Sequence, residues 1–311
     1  MKYSINDKHI VINYHYVENP SRNWSGIHPC SIDEFNRQVK FLSENYKFGS
    51  LVDVFQAAKN NNAERVCAIT FDDGLRDQYE NTLPILKKGS ATATFFIITA
   101  ALEGRLPPAH RIHVLLSKIA INDLINLFNE YLKEFYSDLQ KQYFIPKDRR
   151  LTQRRLHEDI PTANFKETLI MLPEDIKAQF LRYCFKKQGL DSERLSRQIF
   201  MGAGEIRELQ RAGMQIGAHT HQHYALDTMN PEAIKNDINL NKAGLDSVLG
   251  FVPEVFSYPH GRYQPAAVSI LRDEKFKHAV TIEKRGVSGS DDPLLMPRYD
   301  TNDLRDFLNL R

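Results

Sequence analysis

The chain has 311 residues, 42% of them apolar and 26% charged, enough for one large α/β domain or a domain with a sizeable insertion. Its 41 basic and 39 acidic residues leave a net charge of +2, which gives no single-signed field of the kind a nucleic-acid partner requires. The three cysteines, Cys30, Cys67 and Cys184, are odd in number and far apart, so they frame no disulfide scaffold and read as reduced, packed thiols.

The opening residues, Met1 through His9, contain no apolar run of the secretory kind. The longest apolar stretch, residues 91–102, is too short to span a bilayer and is broken by threonines. The expectation is a cytoplasmic protein without a transmembrane segment, with peripheral attachment to a membrane as the alternative.

In chain order, residues 10–14 read as a buried strand. A helix follows from Ser31, with Ser31 as N-cap and Glu34 as its reciprocal partner in a capping box. Ile32, Phe35, Val39 and Leu42 recur at helical spacing along one face of it. Residues 66–71 are rich in β-formers and run into a polar cluster. Leu75, Tyr79, Leu83 and Leu86 predict a helix closing at Gly89 and kinked at Pro84. The next strand covers residues 93–99.

From about residue 105 to 200 the strand signal fades and helical patterns take over. Ile121, Leu124, Ile125, Phe128, Leu132 and Phe135 form one amphipathic stripe. Pro173 opens another helix, with Ile176, Phe180 and Cys184 on one face and Gly189 as its stop. Strand–helix alternation resumes near Gly202. A short helix ends at Gly213 and a strand covers 214–218. Asn230-Pro231 starts a helix running toward Gly250, and strands at 255–258 and 278–281 flank a helix over 266–275. The expected fold class is α/β, with residues 1–104 and 201–311 forming one discontinuous domain and residues 105–200 a helical insertion.

Two clusters carry chemistry. Thr70-Phe71-Asp72-Asp73-Gly74 follows a predicted buried strand, where adjacent carboxylates are costly unless something positive compensates them. Strand ends are also where barrels and open α/β sheets place their sites. Taken alone, Asp-Asp-Gly is an ordinary turn. His219-Thr220-His221-Gln222-His223 follows another strand, and His219 and His223, four apart, can face one point. Alone it could equally be a polar surface loop. Together the clusters supply two imidazoles, a carboxylate ligand and a spare carboxylate, a recurrent pattern for a catalytic zinc with one position left for water. The chemistry of such a set is hydrolysis of a polarised carbonyl by metal-bound water, with a carboxylate as base.

The run T-F-D-D-G followed by H-T-x-x-H resembles the NodB-homology, or polysaccharide deacetylase, family. Phe256-Ser257-Tyr258-Pro259-His260-Gly261 is similar to that family's third motif. The resemblance covers roughly residues 8–104 and 200–300 and leaves the helical middle unmatched. It implies a distorted (β/α) barrel with fewer than eight strands, and metal-dependent removal of an N-acetyl group from an amino sugar of an oligo- or polysaccharide or its activated precursor. Residue by residue it implies Asp72 as catalytic base and Asp73, His219 and His223 as ligands to one divalent metal. Zinc is the first choice, with Co2+, Ni2+ or Mn2+ as alternatives. It also implies the backbone N–H of His260, after Tyr258 and Pro259, as oxyanion donor in the substrate-binding motif.

Two departures bear on this. Ser257 stands where many members carry an arginine that orients the base, and Arg298 in Met296-Pro297-Arg298 is the candidate substitute. The stretch Leu294-Leu295-Met296-Pro297 lacks the late histidine that protonates the departing amine. A subset of the family draws that histidine from Tyr-His on the first strand, so Tyr14-His15 makes His15 the candidate general acid, against a plain core histidine. His221 reads as outward-facing or near substrate. Trp24 reads as packing rather than sugar contact, and the basic run from Lys147 to Arg155, with Arg149, Arg150 and Arg154, as a solvated helix end or linker rather than a phosphate site. The expected partner is a carbohydrate substrate. An amidase or deformylase on a non-sugar amide, and a catalytically silent carbohydrate-binding barrel, are the alternatives.

Overall fold

The computed structural model describes residues 7–21, 24–153, 155–156 and 158–308. The expected leader-free start at residues 1–6 and Arg154 of the basic run lie outside the described residues. The chain divides into two compact units, one of residues 7–19, 29–105 and 194–308, the other of residues 20–28 and 106–193.

The first unit is built on parallel strands: β1 His9–Tyr14, β2 Lys47–Phe48, β3 Val66–Phe71, β4 Ala93–Ile97, β5 Gln215–Ala218, β6 Val255–Ser257, β7 His278–Val280 and β8 Tyr299–Asp300. Their order is β7-β6-β5-β4-β3-β1-β8, with β2 beside the start of β3. One short segment reaches both edges. Met296 bridges Val280 of β7, and β8 pairs with Ile12 and Asn13 of β1. That curls the sheet into the distorted (β/α) barrel expected from the sequence, although β8 itself was too short to anticipate.

Strands β1 and β3 are buried along their whole length because the sheet is covered on both faces. Alternate residues go to different cores. Ile10, Ile12, Tyr14, Ile69, Phe71 and Phe95 pack outward against helical residues such as Phe35, Val39, Leu86 and Ile234. Val11, Ala68, Phe96, Val255, Val280 and Met296 point the other way, into a second core shared with Leu51, Val54, Phe55 and Ala57. The latter four belong to the helix Leu51–Lys59, absent from the sequence reading, whose start is fixed by a capping box between Ser50 and Asp53. Further along the inward register the residues turn polar: Asn13, Thr70, Asp72 and Ser257.

Local expectations meet three corrections. Ser31 caps the helix Ile32–Asn45 through the Glu34 N–H, but Glu34 does not reciprocate, because its carboxylate accepts from Gln38 and Arg305 instead. The helix expected over 75–89 is a π-helical turn, Gln78–Thr82, followed by an α-helix, Leu83–Lys88; the wider turn absorbs the N–H missing at Pro84. The strand expected to reach residue 99 stops at Ile97, where a short helix Thr99–Leu102 begins.

The second unit is helical, with Pro108–Lys118, Ile121–Phe135, Ile160–Met171 and Glu174–Lys187 as its main elements. Phe128 meets Phe165 and Phe180 edge-on in its core, whereas Phe135, at the end of the expected stripe, is exposed. Gly189 (φ 61°) ends the last of these helices in the left-handed conformation. Trp24 sits half-buried in a tight turn of this unit. In the described part of the basic run, Arg150 donates to the carbonyls of Arg155 and Glu158, and Lys147 to Asn126. Among the described residues no helix is long and apolar enough to cross a membrane.

Gly217 on β5 supplies a test of the inner core. A Cβ there would lie 2.4 Å from the Phe96 ring and 3.0 Å from Val255. Gly217→Val should therefore destabilise the fold by about 2–3 kcal/mol, read as a lowered urea midpoint. Gly204→Ala, with nothing within 4 Å of the new methyl, should not.

Candidate active site

The polar end of the barrel collects residues from four strand ends. Asp72 and Asp73 follow β3, His219 and His223 follow β5, the motif at 257–261 spans the end of β6, and His15 follows β1. Asp72, His15 and His219 each continue the inward register of their strand, two residues beyond Thr70, Asn13 and Gly217.

Asp73 turns the other way through a backbone φ of 80°, and its Oδ1 lies 3.4 Å from His219 Nε2 and 3.2 Å from His223 Nε2. The three side chains are buried, and one ligand atom from each falls within 4.8 Å of the others. His219 Nδ1 contacts the Ser257 carbonyl at 2.8 Å. A carbonyl can only accept, so Nδ1 carries the proton and Nε2 is left as the lone-pair donor facing Asp73. Burial alone would lower the His219 pKa, but the charges of Asp72 and Asp73 outweigh it and raise it. The field at this point thus favours a positive charge. Two imidazole nitrogens and one carboxylate, buried in a negative field, fit a divalent transition metal with a position left open.

The histidine turn is strained and strongly supported. Thr220 and His223 have φ of 62° and 60°. Asp237, from the helix Pro231–Leu249, accepts the backbone N–H groups of His221 (2.9 Å) and Gln222 (3.0 Å). Asn241, one turn on, donates to the carbonyls of Ile97 and Thr220. The Thr220 hydroxyl accepts the His223 N–H at 3.0 Å. These bonds hold two non-glycine residues in a conformation they would otherwise avoid.

Asp72 has a different environment. Arg298 grips it with two bonds, Nη1 to Oδ1 at 3.0 Å and Nη2 to Oδ2 at 2.8 Å. The same guanidinium donates to Asn13 Oδ1, Thr70 Oγ1, Ser257 Oγ and the Thr281 carbonyl, so every face of the fork is used. Burial would push the Asp72 carboxyl up, but the Arg298 charge and its hydrogen bonds prevail and hold it at about 2. Arg298 thus reaches the carboxylate across the place where Ser257 stands in the third motif. It does not face a substrate: it is 2% exposed.

The remaining candidates fall out unevenly. His15 is half-exposed and its Nε2 lies 3.9 Å from Asp72 Oδ2, so it is not a packed core histidine. His260 sits in a left-handed turn (φ 57°, ψ 8°) with its ring 4.6 Å from that of His223. Tyr258 is a correction: its ring is fully buried between Phe256 and Tyr263 and its hydroxyl donates to Leu294 O, so the side chain serves the core and does not bind substrate. Pro259 is buried at the start of the turn. For His221 only the outward-facing alternative is corrected: it is buried, hydrogen-bonded to Thr99 Oγ1 and next to Arg105. Asp237, Asn241, Asn13 and Thr281 escaped the sequence reading, since nothing local marks a helix or strand residue as the support of a distant loop.

The polysaccharide deacetylase family model matches residues 59–134 and 162–279, more than half of the chain, and the chain belongs to that family. Among solved structures it is similar to the deacetylase PplD of Streptococcus pyogenes in complex with acetate, at 20% identity and a TM-score of 0.59, covering 94% of this chain and 92% of that one. It is also similar to IcaB from Ammonifex degensii, at 17% identity and a TM-score of 0.59, covering 97% of each chain. A de-N-acetylase from Aggregatibacter actinomycetemcomitans aligns at 13% identity and a TM-score of 0.55, over 97% of this chain and 100% of that one. No curated protein matches the chain. At these identities the structural likeness is one of fold.

Arg298→Met tests the buried pair. Asp72, lowered from 3.8 to about 2, contributes stability that is present above pH 4 and lost as the pH falls through about 2. Removing the guanidinium strands that charge, so the variant should lose about 3–5 kcal/mol at pH 7. Without the guanidinium, burial pushes the Asp72 carboxyl up, so the deficit should narrow toward pH 4 as that carboxyl is neutralised in the folded variant. Urea titrations from pH 4 to 8 would read both effects.

Proposed function

We propose that this protein is a metal-dependent hydrolase that removes an N-acetyl group from an amino sugar, in an oligo- or polysaccharide or its activated precursor. The observation that carries the reading is the division of labour between two adjacent carboxylates. Asp73 faces two imidazoles, while Asp72 faces a guanidinium and the half-exposed His15. A purely structural metal site has no use for the second carboxylate, and family membership supports the N-acetyl sugar as substrate class.

In this reading Asp73, His219 and His223 hold one divalent ion, zinc first among the candidates. When bound, the ion supplies Lewis acidity toward an acyl oxygen and makes water easier to deprotonate. Asp72, kept ionised by Arg298, accepts the proton of the attacking water. The His260 N–H, in the turn beside His223, donates to the developing oxyanion. His15 returns a proton to the amine nitrogen as the C–N bond breaks and its electron pair moves to nitrogen.

Acetate release from N-acetylated oligosaccharides and nucleotide sugars tests this, with metal-stripped enzyme against enzyme given zinc or cobalt. Asp72→Asn should retain the metal and lose turnover by roughly 10²-fold or more; loss of metal instead would mean that the two aspartates have exchanged roles. His223→Ala should lower metal content measured by elemental analysis, and an unchanged stoichiometry would sink the ligand assignment.

A further inference from the structure

The ladder between β1 and β3 ends with the Asp72 N–H donating to the Tyr14 carbonyl at 3.0 Å. Beyond that rung the two segments carry His15 and Asp72 without any further backbone pairing between them to fix their spacing. A side chain takes over. Gln78, fully buried in the π-helical turn Gln78–Thr82, donates from its one amide nitrogen to the His15 carbonyl at 3.0 Å and the Asp72 carbonyl at 2.6 Å. Its own oxygen accepts the Leu75 N–H at 3.1 Å, which fixes which end of the amide points at the carbonyls.

Asp77, just before this turn, and Asn81 within it continue the hold. The Asp77 carboxylate accepts the Val17 N–H at 2.5 Å, and Asn81 Nδ2 donates to the Val17 carbonyl at 2.8 Å. Residues 15–17 are therefore strapped to residues 77–81 at three points, all made by side chains. The His15 imidazole itself is 45% exposed, and the contact that aims it is the 3.9 Å approach to Asp72. A side chain so lightly held is placed mainly by the backbone that carries it.

We propose that Gln78, Asp77 and Asn81 are positioning residues that set the distance between the proton donor and the base. Gln78 acts on both arms and Asp77 and Asn81 on the His15 arm alone. The inference rests on the reading of His15 as the acid that protonates the departing amine. Residues 77, 78 and 81, at helical spacing i, i+1 and i+4, share the side of this segment that faces the β1 end.

The test compares two acetyl substrates, a chitin-type pentamer of N-acetylglucosamine and 4-nitrophenyl acetate. The amide nitrogen must be protonated to leave, whereas the nitrophenolate leaves without a proton, so only the first needs His15. Metal-loaded His15→Ala, Asn81→Leu and Gln78→Met are assayed beside the parent, with thermal melting to establish that each is folded. Asn81 is partly exposed and Leu matches its shape, so this variant keeps the test available if Gln78→Met does not fold.

The expected result is an amide-to-ester ratio of kcat lowered about tenfold or more in Asn81→Leu, in the direction of His15→Ala, with KM little changed. Gln78→Met should lose kcat on both substrates. Adding Asn81→Leu to His15→Ala should then cost nothing more on the amide, because the arm it positions is already gone. A folded Asn81→Leu with the parent's ratio, while His15→Ala has lost it, overturns the inference and leaves the acid in place. An unchanged ratio in His15→Ala, or no release from the pentamer by the parent enzyme, overturns the reading of the acid and the inference with it.

Discussion

The Asp72–Arg298 pair is the interaction on which the rest of the barrel depends. Burying either charge alone would be prohibitive, and a buried pair is tolerable only when every remaining donor and acceptor is satisfied. Arg298 meets that condition by reaching Asn13 on β1, Thr70 on β3, Asp72 just past it, Ser257 on β6 and the Thr281 carbonyl just past β7. Because Arg298 itself lies on the segment that bridges β7 and leads into β8, the same side chain ties the two edges of the sheet together. Closing the sheet and holding the proposed base ionised are one structural act.

Around that pair the polar site departs from relaxed geometry. Asp73, Thr220, His223 and His260 all adopt positive φ without being glycine. Such conformations persist only where the surroundings over-determine them. Here Asp237 and Asn241 supply the support from one helix, and the strain turns side chains of adjacent residues in different directions. Asp72 follows the inward strand register toward the guanidinium, while Asp73 swings to the imidazoles. Two carboxylates one residue apart thereby acquire separate environments.

Much of this was legible in the residues. The alternation of strands and helices, the two polar clusters at strand ends and the helical character of residues 105–200 all follow from local pattern, because hydrophobic period and turn chemistry act over a few residues. That one of the two adjacent aspartates would join His219 and His223 was legible as well, since donor chemistry limits what such a set can do, and the family resemblance implied that it is Asp73. Less accessible were the elements too short to carry a period: β2 and β8 have two residues each. The helix Leu51–Lys59 was overlooked although its capping box stood in the sequence. Which way Tyr258 and His221 point was not legible, because a polar tip on a strand or loop says nothing of its direction.

The sequence by itself determined the fold class, the positions of the polar clusters and the donor types available to a metal, all properties of short stretches. Only the tertiary structure decided which carboxylate meets which partner, that Arg298 arrives from 226 residues away to clamp Asp72, and that Gln78 bridges His15 and Asp72. The reason is physical. Strands β1 and β3 are buried on both faces, so their composition does not reveal which residues look inward, and contacts between distant segments depend on register and closure, which exist only once the sheet has curled.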